Sequence, residues 1–89
     1  MPEIAVIIPT YNRISFLERA INSVLDQSCS VNQIIVIDDG STDGSGASAK
    51  NKYSLDPRVS VIRTEGIGEP QARLLGAKFA RGDIFIQID

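Results

Sequence analysis

Apolar and polar positions come in alternating blocks along this chain. Ile4-Ala5-Val6-Ile7-Ile8 is a short continuous apolar run, rich in β-branched residues and closed by Pro9. That pattern predicts a buried strand. A polar turn follows, Thr10-Tyr11-Asn12-Arg13. From Ser15 to Gln27 the apolar residues return as doublets: Phe16-Leu17, Ala20-Ile21, Val24-Leu25. This spacing predicts a helix with one wide apolar stripe. Gln33 to Asp38 predicts a second strand around Ile34-Ile35-Val36-Ile37. The acidic, glycine-containing stretch Asp38-Asp39-Gly40-Ser41-Thr42-Asp43-Gly44 comes next. Ala47 to Ser54 is a weak helix pattern, small and polar, and Asp56-Pro57 signals a turn. Val59 to Ile62 predicts a third strand and Thr64 to Glu69 a loop. Pro70 suits the first turn of a helix reaching about Ala80. Gly82-Asp83 punctuates, and Ile84 to Ile88 predicts a fourth strand.

The predicted order is β-α-β-α-β-α-β. Short apolar strands alternating with amphipathic helices point to a mainly parallel sheet covered on both faces. Right-handed crossovers make it a doubly wound, three-layer α/β/α arrangement, Rossmann-like, with residues 1–89 as a single domain. In such sheets a ligand sits beyond the carboxyl ends of the strands. The polar clusters of this chain fall there: Thr10 to Arg13, Asp38-Asp39, Arg63 to Glu69, and Asp89.

Composition narrows the chemistry. Of 89 residues, 43% are hydrophobic and 22% charged, as in an ordinary globular domain, and the net charge of −2 argues against a nucleic-acid partner. No histidine is present, so Ser-His and Cys-His nucleophile arrangements are excluded. The single cysteine, Cys29, allows no internal disulfide and reads as a space-filler in a reducing, cytoplasmic setting. A zinc site would need more Cys and His than these. No secretory leader, transmembrane run or repeat is expected from the pattern.

Three glycine-linked motifs fail on inspection. Asp39, Ser41, Asp43 and Gly44 fit the first half of a calcium loop, but Lys50 stands where a bidentate Glu is needed. The first turn, Pro9 to Arg13, has no glycine, so it is neither a dinucleotide fingerprint nor a phosphate loop. What remains is nucleotide recognition by other means. Tyr11 offers a ring for base stacking, or is a surface tyrosine packed on the helix. Asp39 offers an acceptor for a base N–H or ribose hydroxyl, or is a solvated turn acid. Arg73 can reach a diphosphate, or is a solvated helix charge. Asp43 reads as a helix cap or turn former. Ala72, Gly76 and Ala80 recur every four residues, a small-residue stripe that lets the third helix lie close to a sheet, beside an apolar stripe of Leu75 and Phe79.

These residues also carry a resemblance. Val6 to Arg13 resembles the opening strand and first nucleotide-binding turn of the family 2 glycosyltransferases of the GT-A fold. Val36 to Asp43 is similar to that family's second motif. Gly68, Ala72-Arg73, Gly76, Ala80, Gly82 and Ile84 to Asp89 resemble the helix and strand that lead to its acidic metal motif. Leu74 departs from the Asn common in the family after Ala-Arg. The resemblance implies that Pro9, Thr10, Tyr11 and Asn12 line the base and ribose. It implies that Asp39, with Gly40 and Ser41 forming the turn that admits the ligand, hydrogen-bonds the base, most often uracil. Arg73 would lie near the diphosphate, and Asp89 would be the first acid of an Asp-x-Asp motif, touching ribose or a metal-bound diphosphate.

The parent activity so implied is transfer of a sugar from a nucleotide-diphosphate donor, UDP-linked, to a hydroxyl acceptor with inversion, in polysaccharide or cell-wall synthesis. A divalent cation, Mn or Mg, would assist. Its location would be cytoplasmic or at the cytoplasmic face of a membrane. The metal site stops at Asp89, so these 89 residues alone are expected to bind donor incompletely and not to turn over. The fourth strand, with no neighbour beyond it, is expected to favour self-association. A non-catalytic nucleotide-binding module and a nucleotidyltransferase are the alternative readings.

Overall fold

The computed structural model describes residues 3–26, 31–82 and 84–88. The chain runs β1 (Ile4–Thr10), α1 (Ile14–Leu25), β2 (Gln33–Asp39), α2 (Ser45–Lys52), β3 (Val59–Thr64), α3 (Glu69–Phe79) and β4 (Ile84–Gln87). The strands form one sheet in the order β3-β2-β1-β4, and each neighbouring pair is parallel. This is the doubly wound α/β arrangement expected from the pattern.

The layers follow from the two-residue period of the strands. Val6 and Ile8 of β1 and Ile34 and Val36 of β2 join Leu17, Ile21 and Val24 of α1 and Ala49 of α2 in one core. On the opposite face Ile35 and Ile37 of β2 meet Ala72 of α3. So α1 and α2 cover one face and α3 the other. The winding therefore reverses between β1 and β4, and the crevice at their carboxyl ends is the switch point where such sheets take ligands.

α3 rests close on the sheet at Gly76. Ala72 and Gly76 are buried, and a Cβ added at Gly76 would collide with the Ile7 side chain. The small-residue stripe is thus the contact that sets the height of α3 above β1. Of the stripe beside it, Leu75 is partly buried while Phe79 is 52% exposed, as is Leu74 at 59%.

Several boundaries differ from the sequence reading, each for a local reason. β1 continues through Pro9 to Thr10 rather than ending at Ile8. The Ile88 N–H donates to the Ile7 carbonyl, so odd-numbered residues of β1 aim their backbone groups at β4. Pro9 has no N–H to donate for the next rung, and the β1–β4 pairing stops at Ile7↔Gln87. On the other side β1 stays paired with β2 as far as Thr10↔Asp38. Pro9 therefore does not terminate the strand; it parts β1 from β4 where the crevice begins. β3 likewise extends to Thr64, carried by its register with Asp38 and Asp39.

α1 spans Ile14–Leu25, starting one residue before the expected Ser15; the expected end at Gln27 lies outside the described residues. α2 starts at Ser45, not Ala47. Asp43 Oδ1 accepts the Ser45 N–H at 2.9 Å and Gly44 turns left-handed (φ +80°), which together open the helix early. Eight residues are too few for a stable helix in isolation. α2 is held by burial of Ala49 and, just past its end, by Tyr53, whose hydroxyl donates to Asn22 Oδ1 of α1 at 2.6 Å.

Candidate functional site

At the switch point a cleft of about 280 Å³ opens. The end of β1 supplies Pro9 and Thr10, the turn after it Tyr11 and Arg13, the end of β2 Asp39, and the start of α3 Glu69 and Ala72. Its size is near the lower end of small-molecule pockets, roughly 300 Å³ upward. Tyr11 is 57% exposed, so its ring stands on the rim. Thr10 is 5% exposed, and its hydroxyl has no hydrogen-bond partner among the described residues. Buried hydroxyls are nearly always paired, so this one is a mark of an incomplete polar site.

Asp39 faces α3, and its carboxylate gathers donors from β3 and the loop after it. Oδ1 accepts from Thr64 Oγ1 at 2.7 Å and from the Ile67 N–H at 2.8 Å, and Oδ2 accepts from the Gly68 N–H at 2.9 Å. The Thr64 hydroxyl, and after it these amides, hold the carboxyl below its ordinary range against the opposing effect of burial. Asp39 is therefore an ionised acceptor at the cleft wall. Gly40, at φ +83°, lets the turn after β2 pass close to this loop: a Cβ there would lie 3.4 Å from the Gly66 nitrogen.

Asn12 and Ser41 tie the turns after β1 and β2 together. Asn12 sits in the left-handed region at φ +51°, a conformation Asn tolerates better than most residues. Its N–H donates to Ser41 Oγ at 2.8 Å. Its Oδ1 accepts the N–H groups of Thr42 at 2.7 Å and Asp43 at 3.2 Å. Beneath them Asp38 is 1% exposed. It accepts the Ser41 N–H at 3.2 Å and pairs with Arg63 at 3.5 Å. Arg63 also donates to the Ser41 carbonyl at 3.1 Å. A Cβ at Gly46 would collide with the Asp38 carboxylate, so that glycine is what lets the buried acid fit beneath α2.

Arg73 is set back from the cleft by its partners. It donates to Glu69 Oε1 at 2.7 Å, one helical turn earlier, and to Gln87 Oε1 at 3.0 Å. It is Glu69, not Arg73, that lines the cleft. The sequence reading missed Glu69 and passed over Arg13, whose guanidinium stacks over the Phe16 ring, 4.5 Å from its centroid. The i,i+4 spacing of Glu69 and Arg73 was the available signal. Asp89 lies outside the described residues. Among the described residues no group of three Asp, Glu, Cys or His side chains comes together to hold a metal, so they do not by themselves fit a divalent cation.

Fold and cleft together define an α/β domain with a polar-walled cleft at its topological switch point. Residues 5–89 match the model of the family described as "Glycosyl transferase family 2". The chain belongs to that family, and the doubly wound sheet is the part of the GT-A fold it contains. It is 39% identical over 82 residues to the uncharacterized glycosyltransferase EpsJ of Bacillus subtilis (strain 168), covering 92% of this chain and 24% of that protein. It is 33% identical over 87 residues to the glycosyltransferase GlyA of Streptococcus pneumoniae serotype 4, covering 98% of this chain and 12% of that one. The chain thus spans a quarter or less of these two relatives. Among solved structures, a mannosyltransferase from Pyrobaculum calidifontis in complex with GDP-Man and Mn2+ superposes with a TM-score of 0.85 at 25% identity. The match covers 94% of this chain and 26% of the mannosyltransferase. Staphylococcus aureus TarS, residues 1–349, superposes with a TM-score of 0.79 at 27% identity, over 96% of this chain and 27% of that one.

Proposed function

We propose that these residues form the donor-binding part of a glycosyltransferase that moves a sugar from a nucleoside-diphosphate carrier to a hydroxyl acceptor, with inversion. The observation that carries the reading is the cleft itself. It joins an exposed ring, a fixed carboxylate acceptor and a buried hydroxyl without a partner, at the place where the winding reverses. In this reading Tyr11 stacks on the base, Asp39 accepts a base N–H, and Thr10 completes its hydrogen bonding on the ligand. Uracil is the base we assign, which makes the donor UDP-linked. Guanine also presents an N–H beside a carbonyl, and a guanine nucleotide is the ligand of the mannosyltransferase neighbour. Asn12, Gly40 and Ser41 act by shaping the two turns. Arg73 serves the diphosphate only after exchanging its contact with Glu69.

A divalent cation, with Asp89 as a ligand, belongs to the same proposal, but no step of the binding argument rests on it. The 89 residues by themselves bind donor at millimolar strength or weaker and transfer no sugar. A ¹⁵N-resolved titration with UDP, GDP and ADP tests this. UDP should move the amides of Thr10, Tyr11, Asp39 and Gly40, GDP should do so less, and ADP least. Equal response to all three, or shifts confined to other surfaces, would sink the assignment. Sugar transfer by the chain alone would refute the claim of inactivity.

A further inference from the structure

Asp39 carries more internal hydrogen bonds than a residue kept for a ligand alone requires. Thr64 is its register partner across β2 and β3, so the two side chains stand on the same face. The Thr64 hydroxyl reaches Asp39 Oδ1 at 2.7 Å. Beyond Thr64 the chain turns through Gly66 (φ +70°) and Gly68 (φ +89°). These left-handed positions bring the Ile67 and Gly68 N–H groups back onto the same carboxylate, at 2.8 and 2.9 Å. Gly68 is also the residue that caps α3, and Glu69 immediately after it lines the cleft.

We infer that Thr64 is a positioning residue for Asp39: its hydroxyl fixes the carboxylate in one rotamer, and through that carboxylate fixes the loop that starts α3, before any nucleotide arrives. This rests on the reading that Asp39 receives a base N–H. The physical argument is preorganisation. A carboxylate already ordered by its own chain loses little freedom when a ligand binds. It is also acceptor-only while ionised, so a base offering a lone pair at that point is refused. Thr64 touches no ligand in this scheme; its effect runs wholly through Asp39.

The test uses the 89-residue chain with Thr64→Val, which keeps the branched shape and loses the hydroxyl, and Thr64→Ser, which keeps the hydroxyl. In ligand-free protein the Ile67 and Gly68 amide resonances are followed against pH. They should titrate together with a midpoint below that of an ordinary aspartate. Thr64→Val should raise that midpoint, and Thr64→Ser should leave it in place. UDP affinity at neutral pH should fall about five-fold in Thr64→Val, the scale of one hydrogen bond, and be restored in Thr64→Ser. An unchanged midpoint in Thr64→Val overturns the proposal, as does a shifted midpoint with UDP affinity equal across the three proteins. Should the wild-type chain bind no UDP while the midpoint still moves, the hold on Asp39 stands and the nucleotide assignment alone fails.

Discussion

Tyr11 and Asn12 are neighbours with opposite tasks, and substitution should separate them. Tyr11 is on the rim and touches little of the core, so Tyr11→Ala should leave stability within about 0.5 kcal/mol. It should weaken UDP binding by about 1 kcal/mol or more, the lower end of what base stacking on a ring contributes. Asn12→Ala should do the reverse. It removes an acceptor from two backbone N–H groups and leaves a residue with no polar side chain in the left-handed region. A stability loss of about 1–2 kcal/mol is expected. Urea unfolding beside calorimetric titration of each variant reads both quantities. Equal patterns for the two would show that the turn is one unit, as the sequence reading took it. In the sequence, Thr10 to Arg13 is a single polar turn, and nothing local says that the ring faces out while the amide faces Thr42.

Acid sensitivity belongs to the same scale. The carboxyls of Asp39, Asp43 and Asp56 are all held below the ordinary aspartate range. The causes are hydrogen bonds to the charged form: chiefly Thr64 for Asp39, Ser45 for Asp43, and Arg58 for Asp56. A carboxyl whose folded pKa is depressed adds stability above its unfolded pKa and loses it as pH falls through the folded value. The melting temperature should therefore be flat with respect to these groups above about pH 5 and decline below about pH 4. Thr64→Val should shrink the decline. A melting temperature that rises on acidification below that range would contradict the assignment.

At the scale of elements, α3 is the part whose placement depends on one missing atom. Gly76 lets the helix rest on Ile7. Gly76→Ala improves helix propensity, yet it overpacks this contact, and overpacking outweighs the propensity gain. A net loss of about 1–3 kcal/mol is expected. Because Glu69 and Ala72 on the same helix line the cleft, UDP affinity should fall together with stability. Unfolding curves and titrations on this variant check the pair, and a stabilised protein would refute the account. The stripe of Ala72, Gly76 and Ala80 was legible in the sequence because a four-residue period of small side chains has one meaning on a helix. β1 and β2 were legible for a similar reason: burial on both faces leaves an unbroken apolar run. The ends of elements were less so. Pro9 reads as a terminator until its backbone is known to face the side where the ladder stops. The start of α2 depends on the Asp43–Ser45 bond rather than on any apolar period.

For the whole molecule, topology made the cleft legible: parallel strands bring their carboxyl ends to one rim, and Pro9, Thr10, Tyr11 and Asp39 meet there. The depth at which each polar group sits was not legible, because it is decided by partners far apart in sequence. Arg73 is drawn onto Glu69 and Gln87, and Asp39 onto the loop after β3. The same topology exposes two edges. β3 ends one side of the sheet with exposed Ser60 and Arg63 along it, polar residues that discourage pairing. β4 ends the other side, and its sequence Ile-Phe-Ile-Gln has no charge. Since the Ile88 N–H faces β1, even-numbered residues of β4 serve the existing ladder and Phe85 and Gln87 turn their N–H groups outward. Association, where it occurs, should use β4. The weight-average mass of the 89-residue chain in sedimentation should rise with concentration. Gln87→Pro deletes one outward donor without touching the rungs to β1, and it should hold the mass nearer the monomer. A wild-type chain that stays monomeric at every concentration rejects the edge as an association surface, and a Gln87→Pro protein that associates as strongly as wild type moves the contact elsewhere.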